Sequence, residues 1–385
     1  MALDHRNIIY FDNNSTTKTD DRVIEVMVPL MKELYANPSS SHSFGITVKQ
    51  LIDKSRNDVS NLINCEPDEI VYTSGSTESI NLALRGIASS AYNSKKRIVT
   101  ISTEHKAVLD TCKKIERQGF EIIYLPVKSD GTIDKDVFSS AIDNNTMLVI
   151  AMHVNNETGV INDIQKLTEI AHSKGALFFC DATQSFGKIP IDIIKLNVDL
   201  FCFSGHKFHG PKGVGGLFVK KELKRKIEPQ ITGGSQEYGI RSGTLNSAGI
   251  VGLGEACLIS SVDMSKIESN VRVLRDYLES ELLKIPGTFV NGNLENRIYN
   301  TSNVCFPNND ANVIIGRLKN ISLSNGSACT SSIVEPSHVL TSMGLKSDQA
   351  FSSIRFSLSK YNSKSEIDEV VSAIKNVIVG NSILA

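Results

Sequence analysis

The sequence has no block of like charge. Its 41 basic and 42 acidic residues give a formal net charge of −1. Proteins that bind nucleic acid normally carry a basic patch, so the sequence predicts no direct nucleic-acid partner. No stretch approaches the length of a transmembrane helix, and the N-terminal residues MALDHRNIIYFDNN do not resemble a signal peptide. We therefore expect a cytoplasmic protein with no membrane partner.

The sequence also lacks closely spaced cysteines. The nearest two of its seven cysteines, Cys180 and Cys202, are 22 residues apart, which excludes C-x-x-C zinc and thioredoxin-like motifs. A disulfide framework is not expected in so long a chain without a secretory signal. Most of the cysteines lie in apolar runs such as ALFFCD and LFCFS, where they act as small hydrophobic side chains. Cys329 lies instead in SLSNGSACTSS, which fits either an incidental surface thiol or an exposed, reactive one.

Length and hydrophobic pattern predict two domains. A chain of 385 residues is too long for one ordinary core, and 41% hydrophobic with 22% charged residues is typical of a globular protein. Short apolar runs separated by helices indicate an α/β domain, with a mainly parallel sheet and helices on both faces. A long amphipathic helix (264–284), short strands and a final helix from about 364 indicate a smaller C-terminal α+β domain. The strands expected in the first domain are RIVTIS (97–102), EIIYLPV (121–127), MLVIAMHV (147–154), ALFFC (176–180), DLFCFS (199–204) and GGLFVKK (215–221).

Polar residues follow three of these strands. Asn156 lies in the segment after MLVIAMHV, Asp181 and Gln184 follow ALFFC, and Lys207 follows DLFCFS. Ligands of such sheets bind beyond the carboxyl ends of the strands. Each residue alone could simply form a turn, but together they predict a site.

A possible anion cradle lies in VYTSGSTESINLALRG (71–86), where a strand leads into a helix. Free backbone N–H groups and the helix dipole at such a point favour a phosphate. The spacing is not that of a Walker A loop. The alternative is that Ser76 or Thr77 only caps the helix.

Lys207 has a histidine on each side, His206 and His209, which leaves three interpretations. The segment could be a metal site, a solvated loop, or the setting of a reactive lysine. A metal site lacks a third ligand at useful spacing. A reactive lysine commonly forms a Schiff base with pyridoxal phosphate, whose ring nitrogen needs an acid and whose phosphate needs a cradle. Asp181 and the turn at 75–77 could supply these.

Many longer motifs occur together in one order. Through them the chain resembles the NifS/IscS-type cysteine desulfurases, pyridoxal-phosphate enzymes of the class V aminotransferase group, over nearly its whole length. The motifs are YFDNNSTT (10–17), NPSSSHSFG (37–45), TSGSTESIN (73–81), TEHKAV (103–108), NNETGVI (155–161), DATQSFGKIPID (181–192), SGHKFHGPKGVGGL (204–217), RSGTLN (241–246), SNGSACTS (324–331) and IRFSLS (354–359).

The resemblance implies the fold-type I architecture of pyridoxal-phosphate-dependent transferases. Residues 15–260 would form the large cofactor-binding domain. Residues 1–14 and 261–385 would form a small domain that carries the active-site cysteine. No metal ion is implied.

The resemblance also implies roles for individual residues. Lys207 would hold the cofactor covalently and later move the substrate's α-proton, while His105 would stack on the ring and assist; from the pattern alone His105 could equally be an ordinary helix-start residue. Asp181 would pair with the ring nitrogen and Gln184 with the ring hydroxyl. The other cofactor contacts would be Ser76, Thr77, Asn156, Ser204 and His206, with Thr244 from the second subunit of a homodimer.

On the substrate side, the resemblance implies that Arg355 and Asn156 clamp the carboxylate and that Asn13 and Asn14 lie near the substrate. Cys329 would be the nucleophile that takes sulfur from L-cysteine, leaving L-alanine, and passes it to an acceptor protein. Iron–sulfur cluster assembly is the commonest use of this sulfur, and tRNA thiolation and DNA phosphorothioation are alternatives. A selenocysteine lyase, another class V transferase and a non-catalytic metal-binding protein are the rival interpretations.

Overall fold

The computed structural model describes residues 8–90, 94–326 and 335–384. The strands in these ranges are β1 (Ile9–Tyr10), β2 (Ile70–Thr73), β3 (Arg97–Ile101), β4 (Glu121–Leu125), β5 (Thr146–Met152), β6 (Leu177–Asp181), β7 (Leu200–Ser204), β8 (Gly215–Val219), β9 (Phe289–Val290), β10 (Thr301–Cys305), β11 (Ile321–Ser322) and β12 (Ser353–Ser357). The helices are α1 (Asp21–Lys32), α2 (Ser43–Ile63), α3 (Ser76–Ala88), α4 (Lys106–Glu116), α5 (Lys135–Ala141), α6 (Ile164–Ser173), α7 (Ile193–Leu196), α8 (Ser247–Leu282), α9 (Ala311–Arg317), α10 (His338–Ser342), α11 (Ser347–Phe351) and α12 (Lys364–Leu384).

The central sheet has seven strands in the order β2-β8-β7-β6-β5-β3-β4. Only β8 runs antiparallel to its neighbours, β2 and β7; the other pairs are parallel. Every residue of β5 and β7 is buried, as expected for strands covered on both faces. The prediction of a mainly parallel α/β sheet is therefore confirmed.

Alternate residues of the strands enter two separate cores. Val149 of β5 packs in a core with residues of α1, α2, α6 and α8. Its neighbours Leu148 and Ile150 pack on the other face with residues of α3 and α4. This alternation follows from the two-residue period of a strand, and it explains why the strand sequences are apolar at nearly every position.

Helix α8 is much longer than the predicted 264–284 helix. It begins at Ser247, where the Asn246 side chain accepts a hydrogen bond from the Gly249 N–H at 3.0 Å. Its first half includes Gly252 and Gly254, where an added Cβ would lie 2.7 Å from Met27 and 2.6 Å from Ser55. Close packing against α1 and α2 therefore stabilises this part of the helix. Its sequence has no clear amphipathic pattern, which is why the prediction missed it.

The same helix corrects the expectation that no stretch approaches transmembrane length. Within the described ranges, α8 alone is long and apolar enough to span a membrane by length and composition, and half of its most apolar window is buried. Its buried residues, including Ile250 and Leu253, belong to the core shared with α1 and α2.

The remaining strands form a smaller α+β group. Strands β12, β10 and β9 form an antiparallel sheet, and β1 pairs in parallel with β11. Residues of α8, α9 and α12 cover them in a third core. Because α8 runs unbroken through residue 260, one helix contributes to both groups. The division at residues 260/261 remains a prediction.

Candidate active site

A cleft of about 950 Å³ opens at the carboxyl ends of β5, β6 and β7 and at the start of α3. It brings together most of the side chains that the sequence predicts for the site. These are Asn14, Ser76, Thr77, His105, Asn156, Asp181, Gln184, Ser204, His206, Lys207 and Arg355.

Lys207 ends the single helical turn Gly205–Lys207 that follows β7. Its Nζ donates to the carbonyl oxygens of Asn14 at 2.8 Å and Ser15 at 2.7 Å. At Gly205, a Cβ would lie 2.9 Å from the Pro211 carbonyl oxygen, so the tight turn requires glycine there. The strand and turn thus present the amine at the cleft wall.

Asp181 is the last residue of β6 and is only 4% exposed. Its Oδ1 accepts hydrogen bonds from the Thr183 N–H at 3.0 Å and the Thr183 hydroxyl at 2.5 Å. These bonds orient a buried carboxyl group at the cleft. Such a group suits a protonated ring nitrogen.

The start of α3 has the geometry of an anion cradle. The N-cap is Gly75, whose φ of +152° strongly favours glycine and whose added Cβ would lie 3.2 Å from the Ser204 hydroxyl. Ser76 and Thr77 are therefore the first helical residues, which rejects the alternative that either one is the cap. The N–H groups of a first turn have no intrahelical partner and carry the positive end of the dipole. The cradle fits a phosphate.

His105 is both a helix cap and a cleft residue. Its Nδ1 accepts the Ala107 N–H at 3.1 Å at the start of α4. Burial lowers the pKa of the ring, and this effect is opposed by the charge of Asp181 and reinforced by that of Lys207. A neutral ring whose Nδ1 accepts carries its proton on Nε2. The two interpretations of His105 are thus compatible.

The histidines on either side of Lys207 have different partners. The Nδ1 atom of His206 lies 3.1 Å from the Thr16 hydroxyl, and burial followed by the charge of Lys207 lowers the pKa of the ring to about 4. His209 lies outside the cleft wall and donates from Nδ1 to the Lys18 carbonyl at 2.9 Å. Across the described ranges, no three His, Cys, Asp or Glu side chains are grouped as metal ligands. The geometry gives no support to a metal site.

Arg355, in β12, is held from two sides. Its Nη2 donates to Asp12 Oδ1 at 2.6 Å and to the Ser15 hydroxyl at 2.7 Å, and its Nη1 donates to the Asn156 carbonyl at 3.1 Å. Its Nε is buried and has no partner among the described residues. The guanidinium is therefore fixed in place and keeps donor capacity for an anion.

Two of the predicted residues that the structure describes, Asn13 and Thr244, do not line the cleft. Asn13 uses its amide nitrogen on the carbonyl oxygens of Ser357 and Tyr10, so it supports the chain beside the cleft and does not face a substrate. Thr244 is exposed and away from this cleft; its assignment to a second subunit stays a prediction. Cys329 lies outside the described residues.

The structure also adds residues that sequence reasoning missed. Asp12 holds Arg355, and Lys188 donates to Gln184 Oε1 at 2.8 Å. Glu157 is fully buried beside the cleft and accepts a hydrogen bond from the Ser337 hydroxyl at 2.5 Å. Asp12 and Lys188 lie in the YFDNNSTT and DATQSFGKIPID motifs. A lysine in an otherwise apolar SFGKIP segment was the available signal.

These groups fit pyridoxal phosphate. The cradle at α3 with Ser204 and His206 suits the phosphate, Asp181 suits the ring nitrogen, and Lys207 supplies the amine. All are within one cleft. The groups that pyridoxal phosphate needs are therefore the groups that the cleft presents.

Comparison with known proteins gives a consistent result. The model of the aminotransferase class-V family matches residues 9–370. The cysteine desulfurase IscS of Edwardsiella ictaluri (strain 93-146) is 44% identical over 373 residues, covering 96% of this chain and 92% of the relative. A solved structure of a NifS-like protein has a TM-score of 0.91 and 38% identity, covering 97% of this chain and 99% of the other. The structure of SspA in complex with cysteine has a TM-score of 0.82 and 34% identity, covering 92% and 100%.

Proposed function

Since the chain belongs to the class-V aminotransferase family and is a pyridoxal-phosphate-dependent cysteine desulfurase, we propose that it converts L-cysteine to L-alanine through Cys329. The sulfur passes first to this thiol and then to an acceptor protein. The observation that carries the proposal is the meeting of Lys207, Asp181 and the start of α3 in one cleft.

Bound pyridoxal phosphate withdraws electrons from the substrate's α-carbon and so lets its proton leave. Ser76, Thr77, Ser204 and His206 would hold its phosphate. Asp181 would keep the ring nitrogen protonated, and Gln184 would contact the ring oxygen. Because the His206 ring is neutral, it contributes a hydrogen bond and no charge.

Lys207 moves the α-proton. Two carbonyl acceptors already orient its amine, so little reorganisation is needed when the proton is transferred. His105 lies on the same cleft as a neutral ring, with Nε2–H as its available donor. With pyridoxal phosphate bound, this ring would stack on the cofactor and would assist the proton transfer.

Arg355 binds the substrate carboxylate. Asp12, Ser15 and the Asn156 carbonyl hold its guanidinium. In the described part of the chain these bonds use only one of the two Nη1 protons, which leaves the other for a carboxylate oxygen. The side chains of Asn14 and Asn156 complete this end of the cleft.

The other cysteines are poorly suited to be the nucleophile. Burial raises the thiol pKa of every cysteine in the described ranges, to about 12 for Cys112 and well above its usual value for Cys180. The same direction holds for the rest, which are Cys65, Cys202, Cys257 and Cys305. A thiol is nucleophilic as thiolate, so Cys329 is the remaining candidate.

The sulfur transfer balances with this single thiol. The Cys329 thiolate attacks the substrate sulfur, and an S–S bond forms as the substrate's C–S bond breaks. The electron pair left on carbon takes up a proton, which gives alanine. Cys329 then carries a persulfide whose outer sulfur an acceptor can remove.

The test is to incubate the purified protein with L-cysteine and a reductant and to quantify alanine and sulfide together. Equal amounts support the proposal. Pyruvate with ammonia would indicate a different lyase. Preferential release of selenide from selenocysteine would favour the selenocysteine lyase alternative.

The setting of the enzyme is part of the proposal. We place it in the cytoplasm, since the cysteines described by the structure are free thiols, as expected in a reducing compartment. We propose a homodimer in which Thr244, exposed in one protomer, serves the other's cleft. The acceptor we favour is an iron–sulfur scaffold protein, ahead of tRNA-thiolation and DNA-phosphorothioation proteins.

A further inference from the structure

Lys188 is a buried lysine behind the cleft with an unusual environment. Lys188 is only 6% exposed, and its Nζ donates a hydrogen bond to Gln184 Oε1 at 2.8 Å. Among the described residues, no carboxylate lies within ion-pairing distance of it. Burial, followed by the charges of Lys207 and Arg355, lowers the pKa of Lys188 to about 7. A buried amine without an acidic partner is costly to the folded state, which is typical of a residue retained for function.

Lys188 fixes the orientation of the Gln184 amide. Gln184 Nε2 donates to the Asn14 carbonyl at 2.9 Å while Oε1 accepts from Lys188. The Asn14 carbonyl can only accept, so the Gln184 atom that faces it must be the amide nitrogen. Rotating the amide by half a turn would place two acceptor oxygens together at the Asn14 end and would remove the acceptor for Lys188 at the other end. Gln184 therefore presents N–H groups on the side of Asn14, and only one of its two Nε2 protons is used by that carbonyl.

The same network reaches the reactive lysine. The Asn14 carbonyl accepts from both Gln184 Nε2 and Lys207 Nζ, at 2.9 and 2.8 Å. Lys188, Gln184, Asn14 and Lys207 thus form one continuous hydrogen-bonded chain. A change at Lys188 can be transmitted to Lys207 through three hydrogen bonds.

Lys188 and Lys207 both line a second, smaller chamber of about 30 Å³. It has room for a water molecule that could take up the remaining N–H groups of Lys188. Its wall is rich in polar groups and cations. The titratable and charged groups that face Lys188 are Lys207, Arg355, His206, His209, Tyr299 and Lys360.

We propose that Lys188 is a positioning residue that fixes Gln184 as a hydrogen-bond donor to the ring oxygen of pyridoxal phosphate. The inference rests on the proposed contact between Gln184 and the cofactor. A donor aimed at the ring oxygen stabilises its ionised form. Lys188 thereby sets the pH at which the covalent link between Lys207 and the cofactor gains or loses its proton.

The experiment is a pH titration of the visible absorption band of the protein loaded with pyridoxal phosphate, in the absence of substrate. The variants are Lys188→Met, Gln184→Leu and the double variant. Without the fixed donor, the proton is held more tightly, so the midpoint of Lys188→Met is expected to rise by about one to two pH units. Lys188→Arg keeps charge and donors and should retain the wild-type midpoint.

The matched control is Lys195→Met, since Lys195 is exposed and lies on α7, only seven residues further along the chain. It should leave the midpoint unchanged. If Lys188→Met does not fold, as judged by thermal unfolding, Lys188→Gln replaces it. This side chain is one bond shorter than lysine and does not reach Gln184 Oε1, so the same rise is expected.

Two results would overturn the inference. One is an unchanged midpoint in the Lys188 variant. The other is an equal rise when the Lys188 change is made in the Gln184→Leu protein, because Lys188 would then act by its charge alone. A wild-type protein that gives no visible band with pyridoxal phosphate would instead refute the proposed function, so the two failures are distinguishable.

Discussion

Lys207 is held by hydrogen bonds to two carbonyl oxygens, so its amine has one defined position in the cleft. Replacing it by alanine would remove both the proposed covalent anchor of the cofactor and the proposed base. We expect Lys207→Ala to lose the visible band of the bound cofactor and to form alanine about 10²–10⁴-fold more slowly. Absorbance after desalting and alanine quantification measure the two effects.

Lys226 provides the control for that change. It is an exposed lysine at the end of the turn Lys221–Lys226, away from the cleft. Lys226→Ala should keep both the band and the rate. A Lys207→Ala protein that retains its band after desalting would show that another lysine carries the cofactor.

Arg355 owes its position to contacts that a lysine cannot reproduce. Lysine keeps the charge but lacks the planar group that reaches Asp12, Ser15 and the Asn156 carbonyl together. We expect Arg355→Lys to raise KM for L-cysteine about tenfold or more, a loss of about 1.4 kcal/mol of binding. Steady-state kinetics with alanine detection measure it.

Arg272→Lys is the matched control, because among the described residues this arginine pairs only with Glu268, one turn earlier on the surface of α8. Its KM should equal that of the wild type. If Arg355→Lys changes kcat alone, Arg355 does not bind the substrate's ground state.

At the scale of elements, the backbone conformation at the start of α3 forms the proposed phosphate cradle. Gly75 combines a positive φ with close approach to Ser204, so alanine there brings both strain and an atom into the cradle. We expect Gly75→Ala to weaken pyridoxal phosphate binding about tenfold or more. Titration of the protein stripped of cofactor, followed by visible absorbance, gives the dissociation constant.

Gly119 separates strain from binding. Its φ is +90° and nothing lies within 4 Å of an added Cβ. Gly119→Ala should therefore lower the free energy of unfolding by about 1–2 kcal/mol while the cofactor affinity stays unchanged. Equal loss of affinity in both variants would mean that the cradle is not specific to α3.

The elements differ in how far the sequence predicts them. The apolar runs of β5 to β7 identify the parallel sheet, because strands buried on both faces need no polar positions. The sequence pattern does not predict the first half of α8, because the small residues that pack against α1 and α2 leave no amphipathic period there. Likewise, the antiparallel direction of β8 depends on its pairing with β2 and β7, which local pattern does not encode.

The residues of the site are likewise only partly predictable from local sequence pattern. Strand-end position identifies Asp181, Gln184 and Lys207, and the family motifs add Arg355. The sequence does not predict the partners that orient them, because Asp12 is 343 residues from Arg355 in the chain and the lysine in the SFGKIP segment does not by itself identify Gln184 as its partner. Contacts between distant segments require the fold.

At the scale of the whole molecule, the cleft lies between the seven-stranded sheet and the smaller antiparallel sheet of β9, β10 and β12. Lys207 comes from the large sheet and Arg355 from the small one, while the segment at 12–15 bonds to both. One protomer thus supplies most of the site. Thr244 is the predicted exception.

Mixed dimers test whether Thr244 serves the partner's cleft. In a dimer of one Lys207→Ala chain and one Thr244→Ala chain, one cleft would have both residues intact and the other would have neither. We expect this mixed dimer to recover about half of the wild-type activity, more than either variant alone. If Thr244 served its own protomer, both clefts would be defective and no recovery would occur.

The whole proposed reaction depends on the transfer of sulfur to Cys329. The most direct measurement is mass spectrometry of peptides from protein treated with L-cysteine without reductant. We expect the peptide that contains Cys329 to gain one sulfur atom in proportion to the alanine formed, and the peptides of the other six cysteines to gain none. Alanine formation with no sulfur on that peptide, or undiminished formation in Cys329→Ser, would contradict the account.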